Sequence, residues 1–169
     1  MAVEENETIR RIVTGCSLTA ALEAVGERWS FLILRGAFNG LGHFEQFQAT
    51  LGIARNILAN RLARLVAHGL MERLPCADDR RKVEYRLTDK GTALLPALVA
   101  LRQWGERWGG GAPCNTRLVD SRDGLPIAEV ALHAADGRKL GLEDLRWIVI
   151  EQDEAESFAE PDRDRVAAG

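Results

Sequence analysis

The feature that most constrains the fold of this chain is a change of hydrophobic period at Gly69. Before it, residues 53–68 carry leucines at helical spacing, which predicts an amphipathic helix that ends at the glycine. After it, Leu70–Leu74 (LMERL) and Lys82–Leu87 (KVEYRL) are typical of short strands, and the loop between them has the composition of a hairpin. A lone two-stranded hairpin is marginally stable, so this unit must pack on other helices.

The flanking segments supply those helices. Residues 17–25, 27–38 and 44–51 are predicted to be helical, with Ser17 as the N-cap of the first. Thr88 is predicted to cap a further helix that reaches Trp108 and is kinked or split at Pro96. Three helices, a longer helix, a hairpin and a final helix follow the order of a winged helix-turn-helix.

The predicted fold class is therefore mainly α with a small β part: a winged helix-turn-helix domain followed by a small C-terminal β-hairpin module. We divide the chain into an N-terminal arm (1–15), the winged-helix domain for DNA binding and dimerisation (16–108), a Gly-rich linker (109–113), the β module (114–150) and an acidic tail (151–169). Strands are predicted at residues 116–120, 127–133 and 145–150, and the tail is predicted to be disordered.

Charge is distributed unevenly along the chain. Residues 1–109 contain 15 Lys and Arg against 12 Asp and Glu, whereas residues 110–169 contain 7 against 13. The net charge of −3 thus reflects the C-terminal part and does not argue against an anionic partner for the first part. Three widely spaced cysteines without a CxxC pair predict no disulfide framework, metal or cofactor. The lack of a long apolar run or signal peptide predicts a cytoplasmic protein without a membrane partner.

The predicted helix of residues 53–68 has a polar face opposite its leucines. Amide side chains can pair with adenine, small residues allow close approach, and arginines reach guanine or phosphate, so this face suits the major groove of double-stranded DNA. An ordinary solvated helix face is the alternative. The face and its borders consist of Arg55, Asn56, Ala59, Asn60, Arg61 and Arg64, and Arg61 could equally form a structural ion pair.

The hairpin loop adds a second basic element. Arg80, Arg81 and Lys82 are predicted to contact phosphate, while Asp78 and Asp79 shape the turn or pair with an arginine. His43 precedes the third helix, where helix-start amides can face a phosphate.

Residues 16–108 resemble the HxlR-type winged-helix transcriptional regulators of bacteria. The motifs that carry the resemblance are Cys16 with Ala20-Ala21-Leu22, Val25-Gly26-Glu27-Arg28-Trp29, Ile33-Leu34-Arg35, Gly40 with His43-Phe44-Glu45-Gln46-Phe47, Ile53-Ala54-Arg55-Asn56-Ile57-Leu58, Gly69-Leu70-Met71-Glu72-Arg73, Val83 to Gly91, Leu94-Leu95-Pro96 and Trp104-Gly105. The resemblance implies a homodimer that binds a palindromic operator, often as a repressor. Ser17 and His43 depart from the family pattern, and the Asp78–Arg81 segment is similar to the wing of MarR-type regulators, which remain the alternative family.

The resemblance also implies roles for the cysteines and for the helices outside the DNA-reading part of the domain. In some HxlR-type regulators the cysteine that matches Cys16 senses quinones, aldehydes or oxidants, and a thiol at a helix start favours the thiolate. Cys76, in the wing loop, is the second candidate; a small-molecule or electrophile effector is left open. Candidate dimer-interface residues are Leu18, Leu22, Leu98, Leu101, Trp104 and Trp108.

Two other classes of function are less well supported. His133 and the turn aspartates Asp120, Asp123 and Asp136 form no nucleophile–base–orienter set, so the chain is not predicted to be an enzyme. A winged-helix protein–protein adaptor that does not bind DNA is the further alternative, supported by the acidic C-terminal part.

Overall fold

The computed structural model describes residues 9–14, 16–76, 82–110 and 115–148, and these are mostly helical with one two-stranded antiparallel hairpin. Residues 9–14 are helical. The elements that follow are α1 (Ser17–Val25), α2 (Arg28–Phe38), α3 (Phe44–Leu51), α4 (Arg55–Ala67), β1 (Met71–Pro75), β2 (Val83–Leu87), α5 (Asp89–Thr92), α6 (Leu95–Trp108) and a 3-10 turn (Leu142–Asp144). The predicted winged helix-turn-helix is confirmed. None of the helices within the described ranges is long and apolar enough to span a membrane.

Contacts divide the chain into two units, Met1–Thr19 with His133–Gly169, and Ala20–Leu132. The core of the second unit forms where α2, α3, α4 and β1 meet. Its fully buried side chains are Ile33, Leu34, Phe47, Leu58, Leu62, Leu65 and Met71. The three leucines predicted to face inward from α4 are among them, and burial of each contributes about 1.5–3 kcal/mol. This burial fixes which face of α4 points to solvent.

The hairpin is joined to the end of α4 by side-chain hydrogen bonds. β1 and β2 pair from Met71 opposite Leu87 to Pro75 opposite Val83. The Thr88 hydroxyl donates to the Gly69 carbonyl (2.6 Å) and accepts from the Gly91 amide (3.1 Å), which confirms Thr88 as a helix cap. Lys90 Nζ donates to the carbonyl of His68 (2.8 Å), the C-cap residue of α4.

Two helix boundaries test the sequence predictions. Pro96 lies in the first turn of α6, and a turn at residues 93–94 separates α6 from α5, so the predicted split is confirmed. The predicted N-cap of α1 is wrong by one residue. Cys16, not Ser17, takes that position, because its carbonyl accepts from the Thr19 amide (3.1 Å) and its Sγ accepts from the Leu18 amide (3.4 Å).

The strands predicted beyond residue 115 are wrong within the described residues. Two antiparallel bridges, Val119 with Pro126 and His133 with Lys139, stand in their place and flank turns at residues 121–123 and 135–136. At these turns aspartate side chains accept from main-chain amides two residues ahead, as Asp120 does from Arg122 (2.9 Å) and Asp136 from Arg138 (3.0 Å). Closely spaced turns of this kind use amides that a longer ladder would need. Residues 149–150 and the predicted acidic tail lie outside the described residues.

Candidate nucleic-acid interface

The solvent-facing side of α4 carries the residues that the sequence predicts to contact DNA. Asn56, Ala59 and Asn60 are exposed, on the side opposite the buried leucines. Gly52 ends α3 in the left-handed conformation (φ 61°), and the buried Ile53 then fixes the short connection to α4. The turn between α3 and α4 therefore presents a helix face of amide and small side chains.

Arg55 extends this face at the start of α4. Its guanidinium lies over the ring of Phe44, 4.7 Å from the ring centroid, and its side chain remains exposed. A stacked guanidinium is held in one region of space while its N–H groups stay available. The sequence alone did not indicate this contact between α3 and α4.

A groove of about 570 Å³ lies between the start of α3, the start of α4 and the hairpin. Three cationic side chains line it, Arg55, Arg73 and Lys82, against one acid, Glu45. The remaining lining residues are His43, Phe44, Val83 and Tyr85. A concave surface with an excess of positive charge beside an exposed helix face favours a polyanion.

Arg73 is the site residue that sequence reasoning missed. It lies on β1 directly opposite Tyr85 on β2, and both line the groove. From the sequence, only the hairpin loop is predicted to be the basic part of the wing, which comprises β1, β2 and the loop between them. The alternation of strand side chains from Met71 could have shown that Arg73 shares the face turned toward the helices.

His43 connects the start of α3 to the hairpin. Its Nδ1 lies 3.0 Å from the Val83 carbonyl oxygen, which can only accept, so Nδ1 carries the hydrogen. Its main chain bridges to Glu84, and the Gln46 side chain accepts from the amides of His43 (3.0 Å) and Gly42 (3.1 Å). The ring is half-buried at the groove, where it holds α3 and β2 together.

Arg61 and Arg64 are engaged with the preceding helices. Arg61 Nη2 lies 3.1 Å from a carboxylate oxygen of Glu27, and its side chain is only 17% exposed. Arg64 Nη2 donates to the main-chain carbonyl of Glu23 in α1 (3.0 Å). These contacts indicate that Arg61 and Arg64 stabilise the packing of α4 at the border of its exposed face.

The wing carries its own ion pair. Glu84 and Arg86 are 2.8 Å apart on β2, and the hydrogen bond from Arg86 lowers the pKa of the Glu84 carboxyl below its usual value. The Arg86 charge and the nearby His43 act in the same direction, while burial opposes them. Arg80 and Arg81, with Asp78 and Asp79, lie outside the described residues.

Comparison with known proteins shows the family. The family described as HxlR-like helix-turn-helix matches residues 24–112. The chain belongs to this family. Like its matched relatives, this HxlR-like protein has the DNA-binding fold of a helix-turn-helix transcriptional regulator.

The matched relatives of this HxlR-like chain are named as regulators. Rv3095 of Mycobacterium tuberculosis, an uncharacterized HTH-type transcriptional regulator, is 49% identical over 94 residues, which are 56% of this chain and 60% of the relative. YvaP of Bacillus subtilis, named in the same way, is 33% identical over 52% of this chain and 82% of its own length. The chain therefore spans less than two thirds of the mycobacterial relative.

Two solved structures resemble this chain over more than the winged-helix domain. The crystal structure of PA1607, titled as a candidate transcription factor, is 45% identical with a TM-score of 0.75 and covers 82% of this chain and 98% of PA1607. PA1374 of Pseudomonas aeruginosa is 34% identical with a TM-score of 0.58, over 84% of this chain and 99% of that one. The reduced form of the redox regulator HypR is 26% identical with a TM-score of 0.50, over 56% and 95%.

The HxlR-like chain has two free cysteines in the described ranges. Cys16 is half-buried at the start of α1, and Cys76 is half-buried at the end of β1, where its amide donates to the Lys82 carbonyl (3.0 Å). Within the same ranges, no group of His, Cys, Asp and Glu side chains could hold a metal ion. The two thiols thus lie at different elements, one at a helix start and one beside the wing loop.

The helices on either side of the DNA-reading part expose large apolar side chains. Leu18 and Leu22 are exposed on one face of α1, and Leu101, Trp104 and Trp108 are exposed on α6. Leu98 differs from these, because it is half-buried against the core. The α6 stripe is larger than isolated surface residues would give and is typical of an interface.

Proposed function

We propose that this HxlR-like protein is a transcriptional repressor that binds a palindromic DNA operator as a homodimer. The observation that carries the proposal is the exposed polar face of α4 beside a groove that contains three cations and one acid. In this arrangement α4 enters the major groove and the hairpin follows the phosphate backbone.

The roles of the individual side chains follow from their chemistry. Asn56 and Asn60 contact base edges, Ala59 allows the close approach of the helix, and Arg55 reaches a guanine or a phosphate from its position over Phe44. Arg73 and Lys82 bind phosphates together with Arg80 and Arg81 of the loop. His43 positions the wing against α3, which makes its contribution indirect.

Dimerisation and switching form the second part of the proposal. The two subunits pair through the apolar side chains of α1 and α6, Leu18, Leu22, Leu101, Trp104 and Trp108. Cys16 is the proposed thiol switch, because its Sγ accepts a main-chain amide at the positive end of α1. The likeness to HypR, named a redox regulator, supports this choice, and Cys76 beside the wing is the second candidate.

Fluorescence anisotropy with the DNA that flanks the gene of this protein tests DNA binding. Affinity is expected to fall at least about tenfold between roughly 50 and 200 mM salt, because bound arginines and lysines release counterions. Arg73→Ala and Lys82→Ala should weaken binding to all sequences and reduce the salt dependence. Arg117→Ala is the matched control, since Arg117 is exposed beside α6 and away from the groove.

Three results would contradict parts of the proposal. Binding that does not respond to salt would remove the groove cations from the interface. No binding to any duplex would favour a protein–protein adaptor. If alkylation of the thiols alters DNA binding equally in the wild type and in Cys16→Ser, the switch does not lie at Cys16.

A further inference from the structure

A second cavity lies between α6 and the segment that follows the predicted linker. Two side chains of α6 hold that segment in place. Gln103 donates to the Ala128 carbonyl (3.0 Å) and accepts from the Val130 amide (2.8 Å), and Arg102 donates to the Thr116 carbonyl. The cavity between α6 and this segment measures about 420 Å³, which is within the range of pockets that bind small molecules.

The lining of this cavity is amphipathic. Its apolar part consists of Val99, which is buried, with Leu118, Pro126 and Ile127 from the following segment. Hydrogen bonds from the Arg102 and Gln103 side chains to the main chain at Thr116, Ala128 and Val130, before and after the last three of these residues in the sequence, fix the following segment relative to α6. An aromatic or aliphatic ring of a ligand would exclude water from this apolar part.

The charged part of the lining carries a net positive charge. Arg102 and Glu106 form an ion pair at 2.8 Å and balance each other. Arg117 is exposed at the cavity and has no hydrogen-bond or ion-pair partner among the described residues. An unbalanced guanidinium next to an apolar wall favours an organic anion with a planar carboxylate, which an arginine can bind through two parallel hydrogen bonds.

We propose that this cavity is a binding site for a small aryl carboxylate. Its ring packs on Val99, Leu118 and Ile127, and its carboxylate binds Arg117. The site is separate from the DNA-reading surface, so it goes beyond the proposed function and can be measured without DNA. It is also separate from the α6 stripe, because at about 100° per residue Val99, Gln103 and Glu106 lie on the opposite side of the helix from Leu101, Trp104 and Trp108.

Titration with 2-naphthoate, followed by 13C-methyl NMR on the full chain, tests the proposal. The methyl signals of Val99, Leu118 and Ile127 are expected to shift, and 2-naphthamide, the neutral analogue, should bind about tenfold more weakly. Arg117→Ala should reduce the affinity for naphthoate to that for the amide, while Arg117→Lys should retain part of the difference. Arg122→Ala, a change of an exposed arginine on the nearby turn, should have no effect.

The same titration can overturn the proposal. Equal affinity for naphthoate and naphthamide, an unchanged affinity in Arg117→Ala, or the absence of methyl shifts at millimolar ligand would each exclude the site. The outcome does not depend on DNA binding: Arg73→Ala, which tests the operator interface, should bind naphthoate like the wild type.

Discussion

At the scale of single residues, arginines close together in the sequence of α4 have different surroundings. Arg61 and Arg64 contact Glu27 and the Glu23 carbonyl, which join α4 to the helices before it. Arg55 stacks on Phe44 at the edge of a cationic groove. A helical wheel at about 100° per residue places Arg55 and Arg64 on opposite borders of the polar face and Arg61 closer to the leucines. Partners that are distant in the sequence are what distinguish a structural arginine from one available to DNA.

Asn56 provides the most specific test of whether α4 recognises the base sequence of DNA. Asn56→Ala should cost about 1–3 kcal/mol of binding free energy at one base pair of each half-site and relax the preference there, since a bidentate amide contact is lost. Anisotropy on a panel of single-base operator variants measures this change. Arg73→Ala is the comparison, because loss of a phosphate contact should weaken all variants equally. A uniform loss for Asn56→Ala would place Asn56 on the backbone instead.

The Glu84–Arg86 pair predicts a dependence of stability on pH. Because the folded state lowers the Glu84 pKa below its usual 4.5, the pair stabilises the fold above that value, and this contribution is lost as the pH falls through the folded-state pKa. Glu84→Gln should therefore lose less stability than the wild type between neutral and acidic pH in urea unfolding. Arg86→Gln should show a similar reduction. A pH dependence unchanged by either substitution would mean that the pair contributes nothing measurable.

At the scale of elements, the helices predicted from the sequence agree with the structure to within two residues, while the helix at residues 9–14 lies in the segment predicted as an N-terminal arm. Helical periodicity is repeated over several turns, so one unusual residue does not change the assignment. The C-terminal strands were predicted from short alternating runs, and there the aspartates of the turns bind the local main chain instead. The N-cap of α1 shifted to Cys16 because a sulfur can accept an amide hydrogen where a hydroxyl was expected.

Two glycines of the final helices give a matched pair of stability predictions. A Cβ on Gly91 would clash with the Leu70 carbonyl oxygen, so Gly91→Ala should destabilise the fold by about 1–3 kcal/mol as α5 is pushed from the main chain at Leu70. Gly105 in α6 has open space around its Cα, so Gly105→Ala should stabilise by roughly 0.5–1 kcal/mol. Urea denaturation of both variants at one protein concentration measures the difference. Similar midpoints would show that Gly91 does not pack closely on the main chain at Leu70 in solution.

At the scale of the whole molecule, the sequence predicts the exposed polar face of α4 but not the cationic groove beside it. The α4 face follows from periodicity within a single helix, and Arg55, Asn56, Ala59 and Asn60 are exposed as expected. The groove depends on the register of β1 and β2 and on the contact of His43 with Val83, residues 40 positions apart. The cavity on α6 likewise requires hydrogen bonds from Gln103 to residues more than 20 positions away. Such contacts leave no periodic signal.

The proposed dimer can be tested through the α6 stripe. Trp104 is 63% exposed, so Trp104→Glu should leave the subunit folded while it places a charge in the proposed interface. We expect light scattering coupled to gel filtration to show a dimer for the wild type and a monomer for the variant, with operator affinity strongly reduced. Leu142→Glu, a change at an 87% exposed leucine outside α6, is the control. Dissociation by Leu142→Glu alone would move the interface away from α6.

The hydrogen bonds of Thr88 and Lys90 have a mechanical consequence. They fasten the start of α5 to His68 and Gly69, the two residues that follow α4, and only a two-residue turn then leads into α6. We therefore expect a rotation of α6 to be transmitted to α4. In the proposed dimer, the distance between the two copies of α4 would then be fixed. The packing of the two α6 helices would therefore set the separation of the operator half-sites that the dimer can bind.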